Sequence, residues 1–342
     1  MASHRRPKQP TRARVTFLSV TAAAAVALTA QSASAAPAKP NKDEVKAQVD
    51  ALYEEAEQAT EKSNGAKERQ EKLEKEIGYL QDQVARGQGE INELRNTLGS
   101  MATSQYRTGG IDPALALLLS EDPDGYLDKA SSLDHLSGKQ VEAVQRIQSK
   151  QRALAQQRQE AAGKLADLDA TRKELAEKKK ASQEKLAAAQ ALLNTLTAQE
   201  RAAIKDEDTR ASRADGQRVD LGNVKASGRA GAALEAAKTK LGFGYQSGGT
   251  GPNVYDCSGL TQWAYKQAGV NISRVTFTQV NDGTRISRSQ LQPGDLVFFY
   301  DDLHHVGLYA GNNMTLHASN PRSGIKYESM DNMPFQFGVR VG

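Results

Sequence analysis

A hydrophobic repeat with a 3.5-residue period constrains the fold of this chain more than any other feature. Positions spaced alternately by four and three residues run from Val45 to Met101 without interruption, and most of them are Val, Leu, Ile, Met or Ala. A period sustained over so many turns is typical of helices that pack side by side along a seam. The sequence therefore predicts one long helix over about residues 42–106.

A second and more polar repeat follows, from Ala130 to Leu196, and predicts a second helix over about 126–212. Helix breakers separate the two repeats, namely Gly109-Gly110, Asp112-Pro113 and the run DPDG at 122–125. We therefore expect the second helix to fold back on the first. The prediction is an antiparallel coiled-coil hairpin over 36–205, with a short helix at 114–120 within an apolar tip at 107–125.

Four leucines mark this predicted tip: Leu115, Leu117, Leu118 and Leu119. A helix so short cannot bury all of them, and exposed apolar side chains often mark a protein-docking site. Two roles for the hairpin stay open. It is either a spacer or dimerisation rod, or a regulatory arm that docks on a partner or covers an active site.

The amino terminus has the three parts of a secretory signal peptide. Residues 1–14 are basic, residues 15–30 are uncharged and mostly apolar, and Ala33-Ser34-Ala35 is a small-residue cleavage pattern. A membrane anchor is the competing interpretation, but a spanning helix needs roughly 20 apolar residues. The sequence predicts a signal peptide over 1–35 and a secreted protein, either extracellular or associated with the cell wall.

Charge argues against a nucleic-acid partner. The chain has 45 basic and 41 acidic residues, but five of the basic residues and none of the acidic ones lie within 1–35. The remainder has 40 basic against 41 acidic residues, which is a net charge of −1. A nearly neutral mature chain has no electrostatic footprint for a polyanion.

Aromatic residues are concentrated near the carboxy terminus, since 13 of the 18 lie between Phe243 and Phe337. This change of composition predicts a polar linker over 206–228 and a compact domain over 229–342. Within that domain we expect an Ala-rich helix at 229–241, then a helix that starts at Cys257. Five strands are expected after it, at 296–300, 304–311, 314–319, 324–329 and 337–342. The predicted class is α+β.

The single cysteine, Cys257, lies where this second helix begins, and the positive end of a helix favours a thiolate. His305 and His317 lie on successive predicted strands joined by a short turn, so they can face each other. One would act as the base for Cys257 while the other orients it. His304 competes for the role of base, but neighbouring residues of a strand point to opposite faces, so only one of the pair can serve.

Four motifs resemble those of the NlpC/p60 cell-wall cysteine peptidases: DCSGL (256–260), QPGDLVFF (292–299), HVGLYAG (305–311) and LHAS (316–319). The resemblance covers about 229–342 and implies a compact papain-like fold. It implies that Cys257 is the nucleophile, His305 the base and His317 the residue that orients the base. The chain departs from the family pattern at Val275-Thr276-Phe277, where small polar residues are commoner.

The resemblance implies three further site residues. Tyr245 matches a tyrosine that points toward the nucleophile. Asp256 and Ser258 match positions that hold the free amine of the substrate in some members. No metal or cofactor is implied.

The implied activity is hydrolysis of an amide bond in peptidoglycan stem peptides, most often between D-γ-glutamate and the diamino acid, through a thioester. The chain is also similar to secreted actinobacterial endopeptidases that carry a coiled-coil arm, which implies a membrane-complex partner at the tip. Two alternatives remain: an N-acetylmuramoyl-L-alanine amidase, and a non-catalytic coiled-coil scaffold of the wall.

Overall fold

The structure is a computed structural model, and it describes residues 41–107, 123–218 and 228–342 together with positions 115 and 119. The predicted signal peptide, most of the predicted tip and residues 219–227 of the predicted linker lie outside the described residues. Leu117 and Leu118 are among them. Within the described ranges, no helix has the length and apolar character needed to cross a membrane.

The two long helices form the antiparallel hairpin that the repeats predict. Helix α1 spans Lys42–Arg107 and helix α2 spans Pro123–Thr195. The ion pairs between the helices show that the two run antiparallel, because the residue number of the partner on α2 falls as the residue number on α1 rises. These pairs are Glu55–Lys185, Glu76–Lys164 and Glu90–Lys150. We call the α1–α2 hairpin the arm.

Burial along the arm is uneven, and the predicted seam of α2 is partly wrong. Val144 and Leu165 belong to the predicted seam, yet they are 44% and 49% exposed. Lys164 faces α1, where its ammonium contacts Glu76 at 2.6 Å. Because adjacent residues of an α-helix lie about 100° apart, this contact leaves Leu165 on the outer surface.

Helix α2 ends at Thr195, and a separate helix α3 spans Ala198–Arg218. A reciprocal cap starts α3: the Thr197 backbone N–H donates to the Glu200 carboxylate at 2.7 Å, and the Glu200 N–H donates to the Thr197 hydroxyl at 3.2 Å. Ile204 is buried in a cluster with Val45 and Val49. The predicted linker is therefore wrong over 206–218, because apolar burial and this cap hold the segment helical.

The carboxy-terminal domain contains two strands in a small parallel ribbon and six in an antiparallel sheet. The ribbon pairs β1 (Gly244–Tyr245) with β2 (Val254–Tyr255). The sheet strands are β3 (Thr284–Ile286), β4 (Leu296–Phe299), β5 (His305–Gly311), β6 (Met314–Asn320), β7 (Gly324–Ser329) and β8 (Phe335–Arg340). Their order is β3-β8-β4-β5-β6-β7. The five predicted strands are confirmed, each end within two residues of its predicted position; β1, β2 and β3 were not predicted.

Three helices belong to this domain: α4 (Gly228–Lys238), α5 (Cys257–Gln267) and α6 (Thr276–Gln279). The core between helices and sheet includes Leu234, Leu260, Tyr265, Leu308 and Leu316. The Tyr265 hydroxyl donates to the Gly294 carbonyl at 2.8 Å, so its polar end is also satisfied. This packing fixes the start of α5 against β5 and β6. The predicted α+β class is confirmed.

The arm and the domain belong to one compact unit that extends from Asn41 to Gly342. Arg322, in the β6–β7 turn, joins both sides of the contact. Its guanidinium contacts Asp50 of α1 at 2.7 Å and Asp208 of α3 at 2.6 Å. The domain is therefore fastened to the first turns of α1 and to α3.

Candidate active site

Helix α5 places Cys257 at its first position, as predicted. Asp256 caps the helix, and its carboxylate accepts a hydrogen bond from the Gly259 N–H at 2.7 Å. A Cβ at position 259 would lie 2.0 Å from the Gly249 carbonyl oxygen, so only glycine allows this close approach. Cys257 is 1% exposed. The local sequence thus fixes both the position of the thiol and its burial.

His305 and His317 meet across the β5–β6 hairpin. His305 Nε2 lies 2.7 Å from His317 Nδ1, and both rings are buried. Burial, with the charge of His305 adding to it, lowers the pKa of His317 to about 4. Burial alone would lower the pKa of His305 too, but the Glu57 carboxylate outweighs it and raises that pKa. The predicted pairing of the two imidazoles is confirmed.

His304 points away from this pair, as the alternation of strand side chains predicts. Its Nδ1 contacts the Asp302 carboxylate, and its ring stacks on Tyr300 with centroids 4.2 Å apart. Only its backbone approaches the thiol, since the His304 carbonyl oxygen lies 3.8 Å from Cys257 Sγ. The geometry favours His305 over His304 as the base.

Asp256 and Ser258 share one guanidinium. Arg274 donates to the Asp256 carboxylate and to the Ser258 hydroxyl, each at 2.7 Å. Asp256 also accepts from the Gly248 N–H at 2.9 Å. Its carboxylate therefore serves as a helix cap and the partner of Arg274, whereas the family resemblance implies contact with an amine of the substrate. Sequence analysis did not select Arg274.

Tyr245 is partly buried beside the nucleophile. Burial, followed by the negative charge of Glu57, raises the pKa of its phenol well above the ordinary value. The tyrosine therefore stays a neutral hydroxyl within electrostatic reach of the thiol.

Helix α1 enters this site with a row of polar side chains. Glu57 Oε1 lies 2.6 Å from His305 Nδ1, so the second ring nitrogen of the candidate base is occupied by the arm. Asn64 donates its amide to the Asp256 carboxylate at 3.0 Å. Thr60 contacts the Ser247 hydroxyl at 2.5 Å.

Glu61 makes the most deeply buried of these contacts. Its side chain accepts from the Ser258 hydroxyl at 2.6 Å, the Thr276 N–H at 2.8 Å and the Thr276 hydroxyl at 3.1 Å. Burial raises the pKa of Glu61 to about 7, and the negative charge of the Asp256 carboxylate contributes to this rise. Next to it, an added Cβ at Gly65 would lie 3.1 Å from the Phe277 ring. Thr276 and Phe277 belong to the segment that departs from the family pattern, so that segment is where the arm docks.

The docked arm changes the state of the nucleophile. Burial, then the carboxyl groups of Glu57, Glu61 and Asp256, raise the pKa of Cys257 well above the ordinary thiol value. The prediction that the helix terminus favours a thiolate is therefore wrong for this arrangement. The partial charge of a helix end is outweighed by desolvation and by nearby carboxyl groups.

One group of side chains has the composition of a metal site. Ligand atoms of Glu57, Cys257 and His305 all lie within 4.8 Å of one another. Thiolate, imidazole and carboxylate are the ligands that zinc prefers. In this arrangement, however, Glu57 Oε1 lies 2.6 Å from His305 Nδ1, which is a hydrogen-bond distance. The two groups are therefore bonded to each other and do not point at a common metal position.

Apart from Arg274, the contact residues of the site that sequence analysis missed lie on one stripe of α1. Tyr53, Glu57, Glu61 and Asn64 recur every three or four residues, off the predicted seam. A polar stripe normally indicates a solvated helix face. The burial of this one follows from contact with the domain.

Residues 242–339 match the NlpC/P60 family. A probable endopeptidase of Corynebacterium glutamicum is 47% identical over 109 residues, which is 32% of this chain and 52% of that protein. A probable endopeptidase p60 of Listeria monocytogenes is 40% identical over 99 residues, or 28% of this chain and 20% of that protein. This chain thus spans about half of the first relative's length and a fifth of the second's.

Solved structures with similarity to this chain include the NlpC/p60 domain of the peptidoglycan hydrolase SagA. It is 33% identical, with 32% of this chain and 97% of that chain covered and a TM-score of 0.31. NlpC2 from Trichomonas vaginalis is 32% identical, with 35% and 48% covered and a TM-score of 0.32.

The raised pKa of Glu61 predicts a specific dependence of stability on pH. Between its ordinary value of 4.5 and about 7, the buried Glu61 retains a proton that the unfolded chain releases. Raising the pH through this window therefore lowers the free energy of unfolding, by about 3 kcal/mol at most. Thermal unfolding of the wild type and of Glu61→Gln between pH 4.5 and 7.5 measures the effect.

We expect the wild type to lose stability relative to Glu61→Gln as the pH rises, because glutamine does not titrate. Glu68→Gln, an exposed position on the same helix, is the control and should follow the wild type. Parallel curves for the wild type and Glu61→Gln would contradict the prediction.

Proposed function

Because residues 242–339 form an NlpC/P60 domain, we propose that this chain is a secreted peptidoglycan hydrolase that acts as a cysteine peptidase. The observation that carries the proposal is the placement of Cys257 at a helix start beside the His305–His317 pair. A thiol, an imidazole base and a second group that orients the base are the parts of a cysteine-type acyl transfer. Relatives described as probable endopeptidases support the same chemistry.

The hydrogen bonds of His305 indicate which of its ring nitrogens accepts and returns the proton during the reaction. Its Nε2 contacts His317, so Nδ1 is the nitrogen available to Cys257. Nδ1 takes the thiol proton, the sulfur attacks the amide carbonyl, and collapse of the tetrahedral intermediate breaks the C–N bond. The leaving amine takes that proton from Nδ1. Water then attacks the thioester with Nδ1 as base, and the products are a carboxylic acid and the regenerated thiol.

The substrate proposed is the peptide stem of peptidoglycan, cleaved between D-γ-glutamate and the diamino acid. The motifs and the relatives support an endopeptidase. The choice of this particular bond rests on the family resemblance alone. An N-acetylmuramoyl-L-alanine amidase would release a different fragment from the same muropeptide. Mass spectrometry of digested muropeptides distinguishes the two.

We further propose that the arm holds this enzyme inactive. Glu57 occupies the nitrogen that the mechanism needs, and Glu61 fills the space beside Ser258 and Cys257. A stem peptide cannot reach the sulfur while these side chains are docked. The docked state also keeps the sulfur protonated, since burial and the arm carboxyl groups raise the pKa of Cys257.

Release of the arm requires a partner that prefers the undocked form. The tip positions Leu115 and Leu119 are 55% and 71% exposed, which supports the tip as the place where such a partner binds. With residues 1–35 as its signal peptide, the enzyme would work outside the cytoplasmic membrane. The partner proposed is therefore a membrane complex, which the tip of the arm can reach from that side. No nucleic acid is involved in this proposal.

The first test opens the arm in the full chain. Glu57→Ala combined with Glu61→Ala removes two carboxyl groups that together make four of the hydrogen bonds holding the arm in the site. We expect alkylation of Cys257 by iodoacetamide to accelerate at least about tenfold, since loss of a few hydrogen bonds of about 1 kcal/mol each shifts the docking equilibrium by that much. Hydrolysis of soluble muropeptides should rise in parallel.

Glu68→Ala on the exposed face of α1 is the matched control and should leave both rates unchanged. Faster alkylation without hydrolysis would support autoinhibition by the arm and would reject the proposed substrate. Unchanged alkylation in the double variant would reject autoinhibition.

The second test assigns the roles of the site residues in this open-arm variant. Cys257→Ala should abolish hydrolysis, and His305→Ala should remove nearly all of it because no other base replaces Nδ1. His317→Ala should retain more activity, and His304→Ala should be mild because its ring faces Tyr300. Muropeptide turnover is measured for each variant. An inactive His304→Ala beside an active His305→Ala would reverse the assignment of the base.

A further inference from the structure

Glu328 of β7 lies against His317 on the side opposite His305. His317 Nε2 and Glu328 Oε2 are 3.1 Å apart, and the Glu328 side chain is 19% exposed. Lys326 holds the same carboxylate oxygen at 2.9 Å. Strand pairing places His317 across from Lys326, so Glu328 reaches the imidazole diagonally. The mechanism described above does not use this carboxylate.

The proton positions of the two imidazoles depend on each other. For Nδ1 of His305 to accept the thiol proton, the single proton of neutral His305 must be on Nε2. That N–H donates to His317 Nδ1, 2.7 Å away, so His317 Nδ1 must be unprotonated. A neutral His317 then carries its own proton on Nε2, the atom that faces Glu328.

His317 is neutral in this setting, because burial lowers its pKa to about 4. Glu328 is ionised: burial alone would raise its pKa, but His317 and Lys326 hold that pKa well below the ordinary value. A carboxylate that faces Nε2 stabilises the tautomer with the proton there. The contact is not aligned well enough to count as a hydrogen bond, so it acts chiefly through charge.

The opposite tautomer disables the base. With its proton on Nδ1, His317 would present an N–H to the N–H of His305. His305 would then move its own proton to Nδ1 to relieve the conflict between donors, and Nδ1 would no longer accept from Cys257. The wrong tautomer at His317 therefore places a proton on Nδ1 of His305, the nitrogen that has to accept the thiol proton.

We infer that Glu328 is a positioning residue, which keeps the proton of His317 on Nε2 and thereby keeps Nδ1 of His305 available as the catalytic base. This inference rests on the proposed peptidase function. It extends the chain Cys257–His305–His317 by one carboxylate. Glu328 touches neither the substrate nor the sulfur and acts only through His317.

The test reads the tautomer directly. The chain has five histidines, so ¹⁵N-histidine labelling of the full-length open-arm variant, in which Glu57 no longer contacts His305 Nδ1, gives a simple imidazole spectrum in which long-range ¹H–¹⁵N correlations distinguish Nδ1–H from Nε2–H. We expect His317 to be the Nε2–H tautomer in this open-arm parent, where Glu328 is unchanged. In Glu328→Leu, which has no acceptor, that tautomer should lose its dominance. Glu328→Gln retains an acceptor oxygen but not the negative charge, so it should restore only part of that dominance.

Glu328→Ala is a second variant without an acceptor, in case leucine disturbs the fold, and circular dichroism checks both. Asp331→Asn is the matched control, since it removes an exposed carboxylate of the neighbouring turn and should leave His317 unchanged. Persistence of the Nε2–H tautomer in a folded Glu328→Leu or Glu328→Ala protein overturns the inference. A His317 with protons on both nitrogens near pH 7 in the open-arm parent also overturns it.

Hydrolysis by the open-arm variant is the second readout. There Glu328→Leu should lower kcat about tenfold or more with little change in KM, because orientation and tautomer of the base affect the chemical step. Glu328→Gln should recover part of the loss. If the open-arm parent does not hydrolyse muropeptides, the proposed function fails, while the imidazole spectrum still decides the role of Glu328.

Discussion

The contact on which the arrangement of arm and domain depends is the burial of Glu61 beside the nucleophile. A carboxyl group removed from water is costly unless it is hydrogen-bonded or neutral. Ser258 and Thr276 supply three donors, and burial raises the pKa of Glu61 to about 7, so both remedies apply. Because α1 is one continuous helix, fixing Glu61 also fixes Glu57 one turn earlier and Asn64 one turn later.

This geometry makes the inactive state chemical as well as steric. Glu57 raises the pKa of His305 and contributes to the raised pKa of Cys257, so docking of the arm favours the protonated form of both the base and the nucleophile. Departure of α1 removes two carboxyl groups and readmits water at once. Both changes lower the pKa of Cys257, and the partial charge at the start of α5 then favours the thiolate. Opening the cleft and activating the sulfur are one event.

Much of this protein was predictable from its sequence, and the parts that were not have a common cause. The long repeat predicted α1, and the strand pattern brought His305 to His317, because both depend on local periodicity. Sequence analysis missed Glu57, Glu61 and Arg274, whose roles depend on contacts between distant parts of the chain. The predicted linker began at 206, inside α3, for the same reason, since Ile204 is buried only when α3 meets the start of α1.

The departure from the family pattern at Val275-Thr276-Phe277 was visible in the sequence without an explanation. The structure relates it to the arm, because Thr276 donates twice to Glu61 and Phe277 lies against Gly65. A bulky ring at 277 and a residue without a Cβ at 65 have complementary shapes. Such a pair is explained by contact between the arm and the domain, and neither segment alone reveals it.

The chemistry of this interface also suits a contact that has to open. The contacts of Glu57, Thr60, Glu61 and Asn64 are hydrogen bonds and ion pairs, whereas the apolar core of the domain lies between its helices and the sheet. Water can replace polar partners when α1 leaves, so the exposed cleft does not carry a large apolar surface. An apolar seal would hold the arm more permanently and leave an aggregation-prone site after release. The polar stripe on α1 is therefore consistent with a reversible restraint, whose strength is set by a few carboxyl groups and not by buried area.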